Sequence, residues 1–493
     1  MTLINKSFTI YKYFYILFLL GLIGNPIQSQ TITKEQMQDD LLFLQGHIHQ
    51  YFSPLPLLEE RTGINVDKEF KKLYGEITTT TSIEEFTQII RQGLNMLYDG
   101  HSQIIPGYSL KNYASSEYFL STIGNVTLSD TTNADHFYRL TTEYVNSRVK
   151  INLLTKYMKG DYYNILPFTY NEIHIDTGEK IGSINGIPMN QFVKDNYSKM
   201  YYLRWDPINN KPYTRLFPMA LPLIGFDKFT LSIGGKEIEL DVSKKVNTQG
   251  KMHAQSNFGK VMPLNNNILY IRIPEMIEEK WYTNEFLTTY SPNIEKIIID
   301  VRSNPGGSDG AWISLLKKII DKPLKYKYHV GFNHNEAIEN AIQSSFSELK
   351  IIRKGRKTEV YQDVVLLPDS NSVHFNGKIY ILQDESSYSA ATALASIAWE
   401  NDHIISVGAT SALIGGYTLP SIAFKLPNSG IVFTLAFATD LRGGANNPYM
   451  DKVEVEISEE DINIFADKIL NYDCYSKEYL STKDPLIKYV KED

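Results

Sequence analysis

Apolar positions recur with a helical period from Thr33 to about Ile104. Leu41, Leu42, Leu44, His47 and Ile48 fall along one stripe, as on a helix that buries one side. A second helix is predicted from Thr81-Ser82, because Ser82 is followed three residues on by Glu85, the spacing of a reciprocal N-terminal cap. Its apolar positions, Phe86, Ile89, Ile90, Leu94 and Leu97, run towards Asp99-Gly100-His101-Ser102, a break rich in turn formers. The polar stretch from Ser129 to Asp135 predicts a loop. From about Leu140 to Lys260 short β-like runs alternate with turns. The plainest is Ile181 to Ile184 followed by Asn185-Gly186, the strongest short-range hairpin signal.

After Gly259 the texture changes. Ile268 to Ile273 predicts a strand, and Ile297-Ile298-Ile299-Asp300-Val301 is a continuous apolar run of the kind found in strands buried on both faces. It ends in Asn304-Pro305-Gly306-Gly307, before a helical stretch from Ala311 to Ile320. Ile379-Tyr380-Ile381-Leu382 repeats the plan, with a turn, a helix of small residues from Ser389 to Trp399, and a further strand from Ile404 to Gly408. Such alternation predicts an α/β core with right-handed crossovers and a mainly parallel sheet. In sheets of this kind chemistry gathers just beyond the carboxyl ends of the strands, where both loops fall.

Composition narrows the picture. A chain of 493 residues has room for two to four domains at roughly 150 residues each. With 43% hydrophobic and 21% charged residues it is an ordinary globular composition, not a disordered one. A formal net charge of -7 offers no basic face for nucleic acid as a primary partner. The single cysteine, Cys474, excludes an intramolecular disulfide and a Cys-rich zinc site. No His-Glu-x-x-His helix, phosphate-binding Gly-x-x-x-x-Gly-Lys-Ser/Thr loop or Gly-x-Gly-x-x-Gly turn is present, so neither a metal nor a cofactor is expected. The first residues read as a secretory signal: Lys6 and Lys12, an apolar Tyr13 to Gly24, then the breakers Asn25 and Pro26, with a cut after Ser29. The apolar stretch is shorter than the roughly 20 residues a span needs. An exported protein of a bacterial periplasm or envelope, without a membrane span in the mature chain, is the expectation.

Three segments carry candidate chemistry. Ser389 stands after a buried strand at the start of a helix, where unpaired backbone N–H groups favour a developing negative charge. Taken alone it reads more readily as a plain helix cap, with Ser386 and Ser387 as rivals. Gly306 and Gly307 can turn their N–H groups outward as an oxyanion hole, or simply form a strand-to-helix turn. His101 is the one histidine of ten in such a turn-rich break, and histidine is the usual general base for a serine at neutral pH.

Together these segments resemble peptidase family S41, the C-terminal processing and tricorn-core-like serine proteases. The resemblance runs through Asp99-Gly100-His101-Ser102, the PDZ-like Gly178 to Gly186, Asp300 to Gly307 and Ser386-Ser387-Tyr388-Ser389-Ala390-Ala391. It implies a ClpP/crotonase-like β/α core over 261–493, behind a signal over 1–29, an N-terminal helical segment over 30–105 and a PDZ-like β-rich region over 106–260. It also implies Ser389 as nucleophile, with Gly306 or Gly307 and the N–H of Ala390 forming the oxyanion hole. Members with a Ser–Lys dyad carry a lysine about 25 residues beyond the serine; here Gly408 to Gly416 has none, and Lys425 falls within a predicted strand. His101 is therefore the expected base. The family's usual acid is missing, since the matching stretch reads Asn446-Asn447-Pro448, and Asp440 and Asp451 stand as substitutes. The expected function is an exported serine endopeptidase acting on unfolded or C-terminally exposed polypeptides. The alternative is an impaired relative that binds extended peptides or apolar ligands without cleaving them. An acyl-CoA enzyme on the same core is disfavoured by the export signal.

Overall fold

In the computed structural model the described residues are 32–112, 123–151, 153–200, 203–206, 208–214, 221–248, 258–277, 281–345, 348–408, 421–442, 453–454, 462–470 and 474–493. The N-terminal part is helical. Thr33 and Gln36 exchange side-chain and backbone bonds to start the helix Lys34–Tyr51, and Ser82 and Glu85 do the same for Ile83–Asn95. The expected loop at 129–135 is instead the entry to a helix, Thr131–Arg148. Asp130 accepts the Thr127 N–H at 2.9 Å and closes a short 3-10 turn that feeds the helix. The helix is polar over its exposed side, and its buried face is Ala134, Phe137, Thr141, Tyr144 and Val145, mostly beyond the polar run.

The β-rich middle contains the hairpin Ile181–Ile184 with Ile187–Pro188. Its turn residues Asn185 and Gly186 have φ of 50° and 73°, the conformation that Asn-Gly adopts at least cost. Lys228–Ile233 and Lys236–Asp241 extend this to a four-stranded sheet.

The core sheet has six strands in the order Lys260–Pro263, Ile268–Arg272, Lys296–Asp300, Lys378–Gln383, Ile404–Gly408 and Val453–Glu454. The first pair is antiparallel and the others are parallel, the α/β architecture expected from the alternating pattern. Leu269, Ile271, Ile297, Ile299, Ile379 and Ile381 pack on one face against the helices Asp309–Ile319 and Ala390–Ser396. Tyr270, Ile298, Tyr380 and Leu382 pack on the other against Tyr479, Leu480, Ile487 and Val490 of the C-terminal helices. Both faces are covered, which is why the strands read as unbroken apolar runs.

One apolar core crosses the length of the chain. It joins the N-terminal helices, the β-rich middle and the strands Ile422–Lys425 and Val432–Leu435. The segment after His101 is stitched to the second of these: Thr434 N–H donates to Gln103 O at 2.9 Å, and Ile104 pairs with Phe433. This stitching brings an early turn to the edge of the α/β core. Among the described residues no helix is long and apolar enough to cross a membrane.

Candidate active site

Ser389 sits between the strand Lys378–Gln383 and the helix Ala390–Ser396, with φ 54° and ψ −123°. Positive φ is uncommon for a residue with a side chain and costs on the order of 1–3 kcal/mol. The Ser389 hydroxyl makes no capping bond to its helix. It points instead to His101, whose Nε2 lies 3.4 Å from Oγ across 288 residues of sequence. The rival serines are engaged in the loop itself: Ser387 Oγ donates to Val301 O at 2.8 Å, and Ser386 N–H donates to Asp384 at 2.9 Å.

The glycine loop lies directly against the serine. A Cβ on Gly306, which has φ of 101°, would stand 2.5 Å from Ser389 Cβ, so only glycine fits. The Gly306 N–H, expected as an oxyanion donor, is already given to Asn304 Oδ1 at 2.7 Å. Asn304 is the brace of this loop, since its own amide donates to Ile273 O at 2.9 Å and its carbonyl accepts the Tyr388 N–H at 2.9 Å. The N–H groups of Gly307 and Ala390 have no hydrogen-bond partner among the described residues. These two, not Gly306, remain open to a ligand.

Asp384 ties the two loops together. Its carboxylate accepts the N–H of Ser303 at 2.8 Å and the Ser303 hydroxyl at 3.1 Å, besides the Ser386 N–H. From the β-rich middle, Lys156 on the strand Thr155–Met158 forms an ion pair with Glu385, four residues before Ser389.

Behind His101 the ring meets a tyrosine. Tyr388 Oη is 2.9 Å from His101 Nδ1 and 2.8 Å from Asp99 Oδ1, and it accepts the Gly100 N–H at 3.0 Å. Burial, then the Asp99 carboxylate, pushes the Tyr388 phenol well above its ordinary value, so it remains a hydroxyl. Asp99 is fully buried on its side chain and takes the Ser102 hydroxyl on its other oxygen at 2.6 Å. Ser102 Oγ in turn accepts the Ala436 N–H, and Thr434 Oγ1 donates to His101 O at 2.7 Å. The segment that holds the histidine is thereby fixed from both sides.

The substitutes for the missing acid fare differently. Both oxygens of Asp440 accept from the Arg442 guanidinium, at 2.8 and 3.2 Å. Asp451, with Asn446 and Asn447, lies outside the described residues, as does the stretch 409–416. Lys425 is paired with Asp130 at 2.8 Å. The sequence reading passed over Asn304, Asp384, Tyr388 and the role of Asp99. All four lie within the quoted motifs or next to them, but the contacts that join one segment to another, Asn304 to Ile273 and Tyr388, Asp384 to Ser303, and Tyr388 to Asp99 and His101, span long stretches of sequence and leave no local signal.

Residues 267–449 match the model of peptidase family S41. No curated protein sequence is similar to the chain at a significant level. Among solved structures, the fold is similar to that of mature CPAF, with a TM-score of 0.55 and 13% identity, over 93% of this chain and 98% of that one. It is similar also to mature CPAF complexed with lactacystin, with a TM-score of 0.53 and 14% identity, over 93% and 99%. At such identities the likeness speaks for the fold alone. The family match lies within the α/β core, includes the glycine loop and Ser389, and supports a serine-type peptidase of the S41 kind over that region.

Proposed function

We propose that Ser389 is the nucleophile and His101 the general base of an endopeptidase that cleaves unfolded or C-terminally exposed polypeptides outside the bacterial cytoplasm. The observation that carries this reading is the approach of His101 Nε2 to Ser389 Oγ, 3.4 Å, at a strained backbone turn whose hydroxyl caps nothing. The distance is looser than the roughly 3 Å of a working pair, as is common before substrate is bound. In the reaction His101 takes the hydroxyl proton as Oγ attacks the scissile carbonyl carbon. The carbonyl oxygen, now negative, is met by the N–H groups of Gly307 and Ala390. The tetrahedral species collapses as His101 returns the proton to the leaving amine, and water repeats the cycle on the acyl-serine. The retained pair favours a working enzyme over a peptide-binding relative.

Export rests on the basic, apolar and breaker pattern up to Ser29, and an extended substrate rests on the sheet of the β-rich middle, which offers an edge for strand addition. The mature chain, from Gln30, should cleave an unfolded protein and take up a fluorophosphonate probe. Ser389→Ala should abolish labelling and lower turnover by at least about 1,000-fold. Persistent labelling in that variant overturns the assignment. Export is checked separately, by sequencing the N-terminus of the protein recovered from the cell envelope: an N-terminus other than Gln30 rejects the cut after Ser29.

A further inference from the structure

We infer that Asp99 and Tyr388 together complete the catalytic group, with the Tyr388 hydroxyl as a relay that holds His101 in the one tautomer able to act on Ser389. The inference rests on His101 being the base, as proposed above, and it concerns positioning residues: neither Asp99 nor Tyr388 touches the reacting atoms.

Counting protons decides the case. A hydroxyl has one proton to give and two lone pairs to fill. Tyr388 Oη meets three described groups at hydrogen-bond distance: Gly100 N–H at 3.0 Å, Asp99 Oδ1 at 2.8 Å and His101 Nδ1 at 2.9 Å. Gly100 can only donate, so it takes one lone pair. The Asp99 carboxylate oxygen accepts the phenol's bond, so it takes the proton. Were the proton given to His101 instead, a carboxylate oxygen would face hydroxyl lone pairs at 2.8 Å with nothing between them. The remaining lone pair must therefore be met by a proton on Nδ1. That leaves Nε2 bare and turned towards Ser389 Oγ, 3.4 Å away, which is the form a general base needs. Asp99 itself stands 3.5 Å from Nδ1, beyond good hydrogen-bond distance, so its influence reaches the ring chiefly through the tyrosine.

The supports of this relay are built in. Asp99 is fully buried and its second oxygen is occupied by Ser102, so the carboxylate cannot swing away. A Cβ at Gly100 would come within 3.0 Å of the Tyr388 ring, so the glycine admits the phenol to its backbone. The tyrosine and the nucleophile are adjacent in sequence. One loop therefore delivers both the group attacked by the base and the group that orients it.

Four variants and one spectrum test the relay. Tyr388→Phe and Asp99→Asn should each lower kcat by about 100-fold while KM changes less than about threefold, and the double variant should be no worse than either alone, because both act through one chain. Among the described residues, the charged or titratable groups facing the ring are Asp99, Tyr388 and, through the tyrosine, Arg204. Loss of the Asp99 charge destabilises the imidazolium, so the acid limb of kcat/KM should move to lower pH in Asp99→Asn. In the unsubstituted enzyme, nitrogen-15 NMR of the His101 ring should show the proton on Nδ1; the tautomer is read on the parent protein, with His101→Ala used only to assign the resonance. Wild-type kcat in Tyr388→Phe, multiplying effects in the double variant, an unmoved acid limb, or a proton on Nε2 would each overturn the relay. Full activity in His101→Ala would instead remove the base on which it rests.

Discussion

At the scale of single residues the site is a matter of close approach. Ser389 holds a positive φ, and the space beside it exists because Gly306 has no side chain. Gly306→Ala would place a methyl 2.5 Å from Ser389 Cβ and 2.8 Å from Tyr388 O. Since backbone, not a flexible side-chain end, is in the way, the loop must shift. The variant should lose more than about 100-fold in turnover and about 1–3 kcal/mol in stability, read by steady-state kinetics and urea unfolding. The glycines of this loop were legible in the sequence as a pair, but their separate uses were not. Gly306 gives its N–H to Asn304 and its missing side chain to the serine, while the Gly307 N–H has no partner among the described residues. Which does which depends on the direction of a carbonyl, and composition does not encode that.

At the scale of elements, the strand Lys296–Asp300 ends in a buried charge network that fixes where the glycine loop begins. Asp300 receives the Arg302 guanidinium at 2.6 Å and the Tyr270 hydroxyl at 2.7 Å, and Arg302 reaches on to Asp484 at 2.8 Å, the cap of the helix Pro485–Glu492. Burial pushes the Asp300 carboxyl up, but Arg302 and Arg272 outweigh it and hold it well below the usual carboxylate range. Its folded pKa thus lies below the unfolded value of about 3.9, so its stabilisation is fully present above that pH and drains away as the pH falls towards the folded value. Asp300→Asn removes the bidentate partner of buried Arg302, leaving it Asp484 alone among the carboxylates described, and should cost about 3–5 kcal/mol at pH 7. The same variant should show a shallower loss of stability below about pH 4, measured by denaturant midpoints across pH. A cost at pH 7 that persists undiminished into acid would remove this account. The elements themselves were largely legible. Capping residues marked both early helices and Asn-Gly marked the hairpin, because those signals act within four residues. The helix Thr131–Arg148 was hidden where its polar first turn looked like a loop, since its apolar face starts later.

At the scale of the molecule, the helical lead, the β-rich middle and part of the C-terminal half share one core. Phe424, Phe433, Leu435 and Phe437 are buried in the same cluster as Leu44, Phe70 and Phe86. A chain cut at 260/261 should therefore fail as two independent pieces. Residues 261–493 alone would expose that apolar surface and lack His101, and should aggregate in size-exclusion chromatography and resist a fluorophosphonate probe. Co-expression with residues 30–260 should restore both solubility and labelling. A monodisperse, folded C-terminal piece would show that the shared core is dispensable.

The sequence by itself determined the local pieces: the caps, the hairpin turn, the buried parallel strands and the residue types able to carry acyl transfer. These follow from interactions between near neighbours and from the need of a doubly covered strand to be apolar. Only the tertiary structure decided which pieces meet. It set His101 against Ser389 across 288 residues, spent Gly306 and Asp440 on other partners, and put Asp99 behind Tyr388. Those pairings come from the shared core and from the strand Val432–Leu435 that holds the histidine segment, and a hydrogen bond between distant residues is chosen by the packing that brings them together.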